Sequence, residues 1–128
     1  MIRFCISLEK CSMGNLTGNE KIDVPDRVSG CVIATSKGYP HEYKTGFPIK
    51  IGKIDSSNCQ IFDSGTSLNK NGDLLTDGGR VLSIVCQDKD FDIVFEKAYK
   101  NLKEINFEGI YYRNDIGHQV RTNFSKEN

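Results

Sequence analysis

The residues of this sequence best suited to chemistry are the arginine and two glycines of TDGGRV, residues 76–81. Arg80 can bind a phosphate through two parallel N–H bonds, and Gly78 and Gly79 allow backbone N–H groups to turn toward an anion. The same stretch also fits a plain turn in which Arg80 is a surface cation. The residue types therefore predict either a small anion site or a structural turn.

Two further cations stand in short motifs. Lys37 of SKGYP, residues 36–40, can meet a phosphate or carboxylate, or the motif can simply end a strand and pack its tyrosine and proline against the sheet. Arg113 of YYRNDIG can touch a substrate or form an internal ion pair with Asp115. For both motifs the two alternatives stay open.

No self-contained catalytic apparatus is visible in the sequence. It has no phosphate-binding G-x-x-x-x-G-K-[ST] loop, no dinucleotide-binding G-x-G-x-x-G and no G-x-S-x-G nucleophile elbow. We therefore predict no catalytic residue in this chain.

The five cysteines form no C-x-x-C pair, and the two histidines stand far from any of them, so we expect no metal site. In a reducing compartment the cysteines are expected to be small buried hydrophobes, and their apolar contexts should raise rather than lower the thiol pKa. These cysteines are Cys5, Cys11, Cys31, Cys59 and Cys86.

Length and charge limit the class of protein. The chain has 128 residues, with 17 basic and 17 acidic side chains. This is the length of one domain, and the balanced charge disfavours nucleic acid and acidic membrane surfaces as partners. Because the first residues form neither a signal peptide nor a membrane span, we expect a cytoplasmic protein.

Hydrophobic periodicity predicts an α+β fold, in which one amphipathic helix covers a mainly antiparallel sheet of short strands. We expect residues 1–27 to be a short helix and linker, 28–121 the compact domain, and 122–128 a disordered tail. Within them we predict a helix at 2–11, strands at 31–36, 49–54, 60–62 and 80–87, a hairpin at 67–76 around Asn71-Gly72, and a helix at about 90–104. The strand at 80–87 is predicted to be covered on both faces.

Four stretches, in this order and spacing, resemble one family. They are SKGYP at 36–40, IFDSGTSL at 61–68, TDGGRVLSIV at 76–85 and EKAYKNLKEINFEGIYYRNDIG at 96–117. Together they resemble the C-terminal domain of phosphoribosylamine-glycine ligase, an ATP-grasp enzyme of purine biosynthesis. The opening ISLEKCSMGNL is similar to the helix with which that family leaves its ATP-grasp region.

This resemblance implies a reaction and a missing part. In the family, ATP activates glycine as an acyl phosphate, which the amine of 5-phosphoribosylamine attacks to give glycinamide ribonucleotide. ATP and Mg²⁺ are held by the ATP-grasp domains, upstream of everything in this chain. The resemblance therefore implies no cofactor on this chain, partnership with the ATP-grasp and N-terminal domains in cis or in trans, and no ligation by the chain alone.

The resemblance also assigns candidate residues for the substrate phosphate. They are Arg80, Gly78, Gly79 and Lys37, with Thr66 and Arg113 as secondary candidates.

The sequence departs from the family where the family reads H-A-G-T-K, since this chain has Asp63 and Ser67 at the first and last positions. Both changes remove positive charge near the expected anion, and Lys70 is placed to compensate.

Three functions remain open at this level. The chain is the C-terminal piece of the ligase, or a remnant that docks on an ATP-grasp partner or binds a phosphorylated metabolite, or a structural domain without ligand. The apolar run at residues 2–8 helps to distinguish them. A piece that packs on a missing domain should leave this run exposed, whereas an independent domain should bury it.

Overall fold

The computed structural model describes residues 2–18 and 25–121, with the backbone alone for residues 2–4. The expected α+β class is confirmed. The elements are α1 (Ile2–Ser12), β1 (Val28–Ser36), β2 (Lys50–Ile51), β3 (Cys59–Asp63), β4 (Thr66–Leu68), β5 (Leu74–Thr76), β6 (Arg80–Asp88), α2 (Phe91–Leu102), β7 (Ile105–Asn106) and β8 (Ile110–Tyr111).

The centre of the fold is a four-stranded antiparallel sheet in the order β3-β6-β1-β8. The long strands β1 and β6 pair along most of their length, from Val28 opposite Asp88 to Thr35 opposite Arg80. Along most of both strands, buried residues alternate with exposed or half-buried ones, as expected for strands with one buried face. β1 begins three residues earlier than predicted, because Val28, Ser29 and Gly30 continue this pairing.

Helix α2 covers one face of the sheet, as predicted. The carboxylate of Asp90 caps it by accepting a hydrogen bond from the Asp92 N–H at 2.6 Å. Lys97 Nζ donates a hydrogen bond to the Asp88 carboxylate at 2.8 Å, and this salt bridge ties the helix to the end of β6. The same bond lowers the pKa of Asp88. The apolar face of α2 packs on the sheet through Val94, Phe95, Ala98 and Leu102.

The prediction that β6 is covered on both faces is wrong. On the helix side Ile84 and Cys86 are fully buried, but Ser83 and Val85 are only partly covered and Gln87 is exposed. A single helix reaches one face of a sheet, and the other described elements in extensive contact with β6 are its neighbours within the sheet, β1 and β3.

Two separate two-stranded sheets accompany the main sheet. The predicted strand at 49–54 is reduced to β2, which pairs with β7, and the last bond of this pairing is donated by the Gly52 N–H to the Glu104 carbonyl. The predicted hairpin at 67–76 is present as β4 and β5. Its turn is wider than the two-residue type, since Asn69 bonds Asp73 and only Gly72 has a positive φ, of 86°.

A buried amide attaches the irregular segment before β3 to the helix. Asn101, 1 % exposed, accepts a hydrogen bond from the Asp55 N–H at 2.9 Å and donates one to the Asp55 carbonyl at 3.1 Å. This pair of bonds satisfies both polar ends of the amide, which would otherwise be costly to bury.

The predicted helix near the N-terminus is confirmed as α1, and its apolar side chains are exposed. Ile6 is 46 % exposed and Leu8 54 %, and no side chain of residues 5–12 is buried. The turn that ends the helix contains Gly14, whose φ is 69°.

The expectation for the cysteines is wrong on two counts. Cys59 and Cys86 are buried but joined by a disulfide, while Cys5, Cys11 and Cys31 are exposed free thiols. The pairing follows from strand register, since Cys59 lies directly opposite Cys86 in the β3–β6 ladder. Register of this kind cannot be seen from cysteine spacing alone.

Among the described residues there is no helix long and apolar enough to cross a membrane. The predicted tail at 122–128 and part of the predicted linker, 19–24, lie outside the described residues.

Candidate functional site

A β-bulge at the start of β6 turns Arg80 to the open face of the sheet. In the β1–β6 ladder Ala34 faces Leu82 but Thr35 faces Arg80, so Val81 is an extra residue. Strict alternation would put Arg80 on the same side as Leu82, which is fully buried. The bulge buries both Val81 and Leu82, and it leaves Arg80 exposed.

The DGG turn is fixed by close backbone packing. A Cβ on Gly79 would collide with the Tyr39 ring, and one on Gly78 would meet the Cα of Gly65 at 3.0 Å. Ser36 holds the turn, because its N–H donates to the Gly79 carbonyl and its hydroxyl to the Gly78 carbonyl. These contacts give the two glycines a packing role, and their role toward an anion stays a prediction.

Arg80 lies in a cleft of about 520 Å³ on this open face. Its side chain makes no hydrogen bond or ion pair with any residue that the structure describes. Strand β3 closes one side, since the N–H groups of Ser64 and Gly65 donate to the carbonyls of Val81 and Arg80 at 3.0 and 2.8 Å. The cleft thus contains one guanidinium without a partner.

The remaining walls of the Arg80 cleft are aromatic, aliphatic and hydroxyl-bearing. The rings of Tyr39 and Tyr43 meet edge to face, with centroids 6.1 Å apart, and both are about two-fifths exposed. Ile33 and Cys31 of β1 and Ser83 of β6 complete the lining. Partial burial raises the pKa of the Cys31 thiol, which makes it a poor nucleophile at neutral pH. A cation beside hydroxyls and aromatic carbon suits a small phosphorylated polyol.

Lys37 lies in a neighbouring cleft of about 410 Å³. The two clefts share Tyr43, and Lys37 is anchored by its N–H, which donates to the Gly109 carbonyl at 2.8 Å. Lys44 and two glutamates also line this second cleft. The structure therefore places Lys37 and Arg80 in adjoining clefts rather than in one.

The two secondary candidates lie in different surroundings. Arg113 donates to Asp115 through two bonds of 2.8 and 2.6 Å, which lower the pKa of that carboxyl. It lines a third cleft that shares Tyr39 with the Arg80 cleft. Thr66 is half-buried in β4 and pairs with Thr76 of β5. Arg113 thus has a partner of its own, unlike Arg80.

The two positions that depart from the family lie near the end of β3 and in β4. Asp63 is exposed, directly before Ser64 of the cleft wall, and Ser67 is half-buried opposite Leu75. Lys70 is exposed in the hairpin turn. Sequence reasoning missed Tyr43, Ser64 and Ser83 as cleft residues, because the bulge and the β3–β6 register that bring them together leave no local signal.

Substitution of Gly79 by alanine tests the packing of the turn. We expect Gly79→Ala to lower the free energy of unfolding by about 1 kcal/mol, because the new methyl displaces the Tyr39 ring. Urea denaturation measures it. In a Tyr39→Ala background the same substitution should cost clearly less, and an equal cost in both backgrounds would contradict this contact.

Comparison with known proteins places these features in a family. The family model described as Phosphoribosylglycinamide synthetase, C domain, matches residues 29–119. The chain is 45% identical over 98 residues to a phosphoribosylamine-glycine ligase of Caldanaerobacter subterraneus, covering 77% of this chain and 23% of the relative. With the corresponding protein of Clostridium acetobutylicum the identity is 38% over 112 residues, covering 88% and 26%.

A solved structure agrees. The crystal structure of a phosphoribosylamine-glycine ligase from Thermotoga maritima matches with a TM-score of 0.72 and 26% identity, covering 88% of this chain and 27% of that one. The chain thus spans about a quarter of the length of the relatives it matches. On these matches and the fold described above, the chain belongs to the C-domain family of phosphoribosylglycinamide synthetase.

Proposed function

We propose that this chain acts as the C-terminal part of a phosphoribosylamine-glycine ligase and that Arg80 binds the phosphate of 5-phosphoribosylamine. The observation that carries the proposal is the unpaired Arg80 guanidinium in a cleft on the open sheet face. Two parallel N–H bonds to a phosphate would hold the substrate by one end. The hydroxyls of Ser64 and Ser83 and the ring of Tyr39 would then face the sugar.

In this proposal the chain contributes binding and orientation. The reaction joins the amine of phosphoribosylamine to the carboxyl of glycine, which ATP activates as an acyl phosphate. Fixing the phosphate on Arg80 aims the amine away from the sheet, toward whatever domain carries the acyl phosphate. Holding two reactants in the correct relative orientation converts their encounter into a step within one complex. This lowers the activation free energy substantially.

ATP and Mg²⁺ belong to the other domains in this proposal. Within residues 2–18 and 25–121 no three His, Cys, Asp or Glu side chains surround a common point that could hold a metal ion. Mg²⁺ in such enzymes needs carboxylates together with nucleotide phosphates. The residues described do not fit that group, and we derive no step through it.

The exposed apolar side chains of α1 support docking on an ATP-grasp region. Ile6, Leu8 and, beyond the helix, Leu16 are each about half exposed. We propose that this run packs against the ATP-grasp region, either in cis or in trans, which would remove apolar surface from water. An independent domain is expected to bury such a run.

A second candidate is a binding module for a phosphorylated metabolite. It uses the same Arg80 cleft, whose guanidinium, hydroxyls and aromatic rings would hold a phosphorylated ligand without chemistry. Such a module would bind ribose 5-phosphate without any partner and would not support ligation. The negative charge of Asp63, where the family has histidine, lowers the positive charge near a bound phosphate in either candidate.

An assay of this chain mixed with an ATP-grasp fragment distinguishes the two candidate functions. Formation of glycinamide ribonucleotide from ATP, glycine and phosphoribosylamine is measured for the chain alone, for an ATP-grasp fragment of a relative, and for both together. The ligase proposal expects no product from either piece alone and product from the mixture. Product from the chain alone would overturn the assignment of ATP to another domain, and no product from the mixture would favour the binding module.

A further inference from the structure

A disulfide joins β3 and β6 at one end of their ladder. Cys59 and Cys86 lie directly opposite each other, with Cα atoms 4.1 Å apart, and both are buried. The next pair toward the end of the ladder is hydrogen-bonded, since the Gln87 N–H donates to the Asn58 carbonyl at 2.8 Å. Cys59 and Cys86 therefore occupy a non-hydrogen-bonded pair, where side chains on neighbouring strands come closest.

The opposite end of the same ladder forms the wall of the Arg80 cleft. β3 is an edge strand of the main sheet, with β6 as its only neighbour among the described strands. It continues directly into Ser64 and Gly65, which bond the backbone of Val81 and Arg80. An edge strand held from one side is the part of a sheet that opens most readily. A covalent link at Cys59 therefore fixes the strand that carries the cleft wall.

We propose that Cys59 and Cys86 form a redox-controlled lock on β3. A small thiol reductant opens it: the S–S bond breaks, each cysteine gains a hydrogen, and two reductant thiols become one disulfide. A small disulfide closes it by the reverse exchange. Closed, the lock holds β3 in register, and with it Ser64 and Gly65 beside Arg80. With the disulfide reduced, β3 is held only by its hydrogen bonds with β6 and by the packing of Cys59 and Ile61.

The number of cysteines that can be alkylated shows directly whether the disulfide is present. Three of the five cysteines, Cys5, Cys11 and Cys31, are free and exposed. We expect iodoacetamide in denaturant to label three cysteines per chain without reductant and five after dithiothreitol, as read by intact mass. Peptide mapping should find the two extra labels on Cys59 and Cys86. Five labels before reduction would overturn the proposal. Because the unsubstituted chain is labelled in denaturant, this readout does not depend on a variant that must fold.

The effect of the lock on β3 is measured on the native chain. The disulfide closes a loop over a separation of 27 residues, so its reduction should lower Tm by roughly 10 °C. Hydrogen exchange should speed up more at the amides of 60–65 than in the middle of α2, where only the loss of global stability acts. Equal exchange at 60–65 in the two redox states would overturn the link between the lock and the cleft wall.

Matched variants separate the lock from general effects of reductant. In Cys59→Ala/Cys86→Ala, we expect Tm and exchange at 60–65 to be the same with and without dithiothreitol. In Cys11→Ala, whose cysteine is exposed on α1, the full response of the wild-type chain should remain. A response to dithiothreitol in the double variant equal to that of the wild type would overturn the proposal. None of these readouts involves ligation, so they stand apart from the function proposed above.

Discussion

Arg80→Ala is expected to raise the KM for phosphoribosylamine by roughly 30-fold, the equivalent of about 2 kcal/mol for a charge-assisted bidentate contact. Its guanidinium is exposed in the cleft and has no partner among the described residues, so its removal leaves no buried group unsatisfied. The effect should therefore appear in substrate binding and not in stability. The measurement uses a chimera in which residues 29–119 replace the C domain of the Caldanaerobacter relative.

Two controls sharpen this result. Arg80→Lys keeps the charge but loses the planar fork, so we expect an intermediate KM. Lys89→Ala removes an exposed cation at the other end of β6 and should leave KM unchanged. A KM for Arg80→Ala equal to that of the parent chimera would remove Arg80 from the substrate site and return TDGGRV to a plain turn.

Asn101→Leu is expected to lower the free energy of unfolding by about 3 kcal/mol, although leucine and asparagine have the same number of side-chain heavy atoms, branched at the same carbon. The amide of Asn101 is buried and bonds both the N–H and the carbonyl of Asp55. Leucine leaves these two backbone groups without partners beside the core. Urea denaturation of the chain followed by circular dichroism measures the change.

The control for Asn101 is a substitution at its partner. Asn101 bonds the backbone of Asp55 and not its carboxylate, which instead accepts hydrogen bonds from Ser57 that lower its pKa. Asp55→Ala should therefore cost much less than Asn101→Leu. If the two substitutions cost the same, the side chain of Asp55, and not the buried amide, holds the segment before β3.

Elements whose apolar residues repeat at regular spacing, or whose turn residues are distinctive, could be predicted from the sequence. Phe91, Val94, Phe95, Ala98 and Leu102 repeat at helical spacing, and α2 is found within about two residues of its predicted ends. The Asn71-Gly72 hairpin and the apolar β6 also follow from local residue types. Each of these signals depends only on neighbours in sequence.

What the sequence could not predict depends on register between distant strands. The bulge that exposes Arg80 arises because Thr35 faces Arg80, and not Val81, across the β1–β6 ladder. The Cys59–Cys86 disulfide needs the same kind of information. The open face of β6 was missed because an apolar run looks alike whether one face or both are covered. The cleft can therefore be identified only from the fold, whereas Arg80 can be named as a candidate from the sequence alone.

The domain-exchange chimera tests the central proposal most directly. Its rate of ATP-dependent glycinamide ribonucleotide formation is compared with that of the Caldanaerobacter relative and of the relative without its C domain. Covalent linkage removes the need for two pieces to find each other. We predict ligation by the chimera well above that of the truncated relative. A folded chimera no more active than the truncated relative would contradict the proposal that this chain completes a ligase active site.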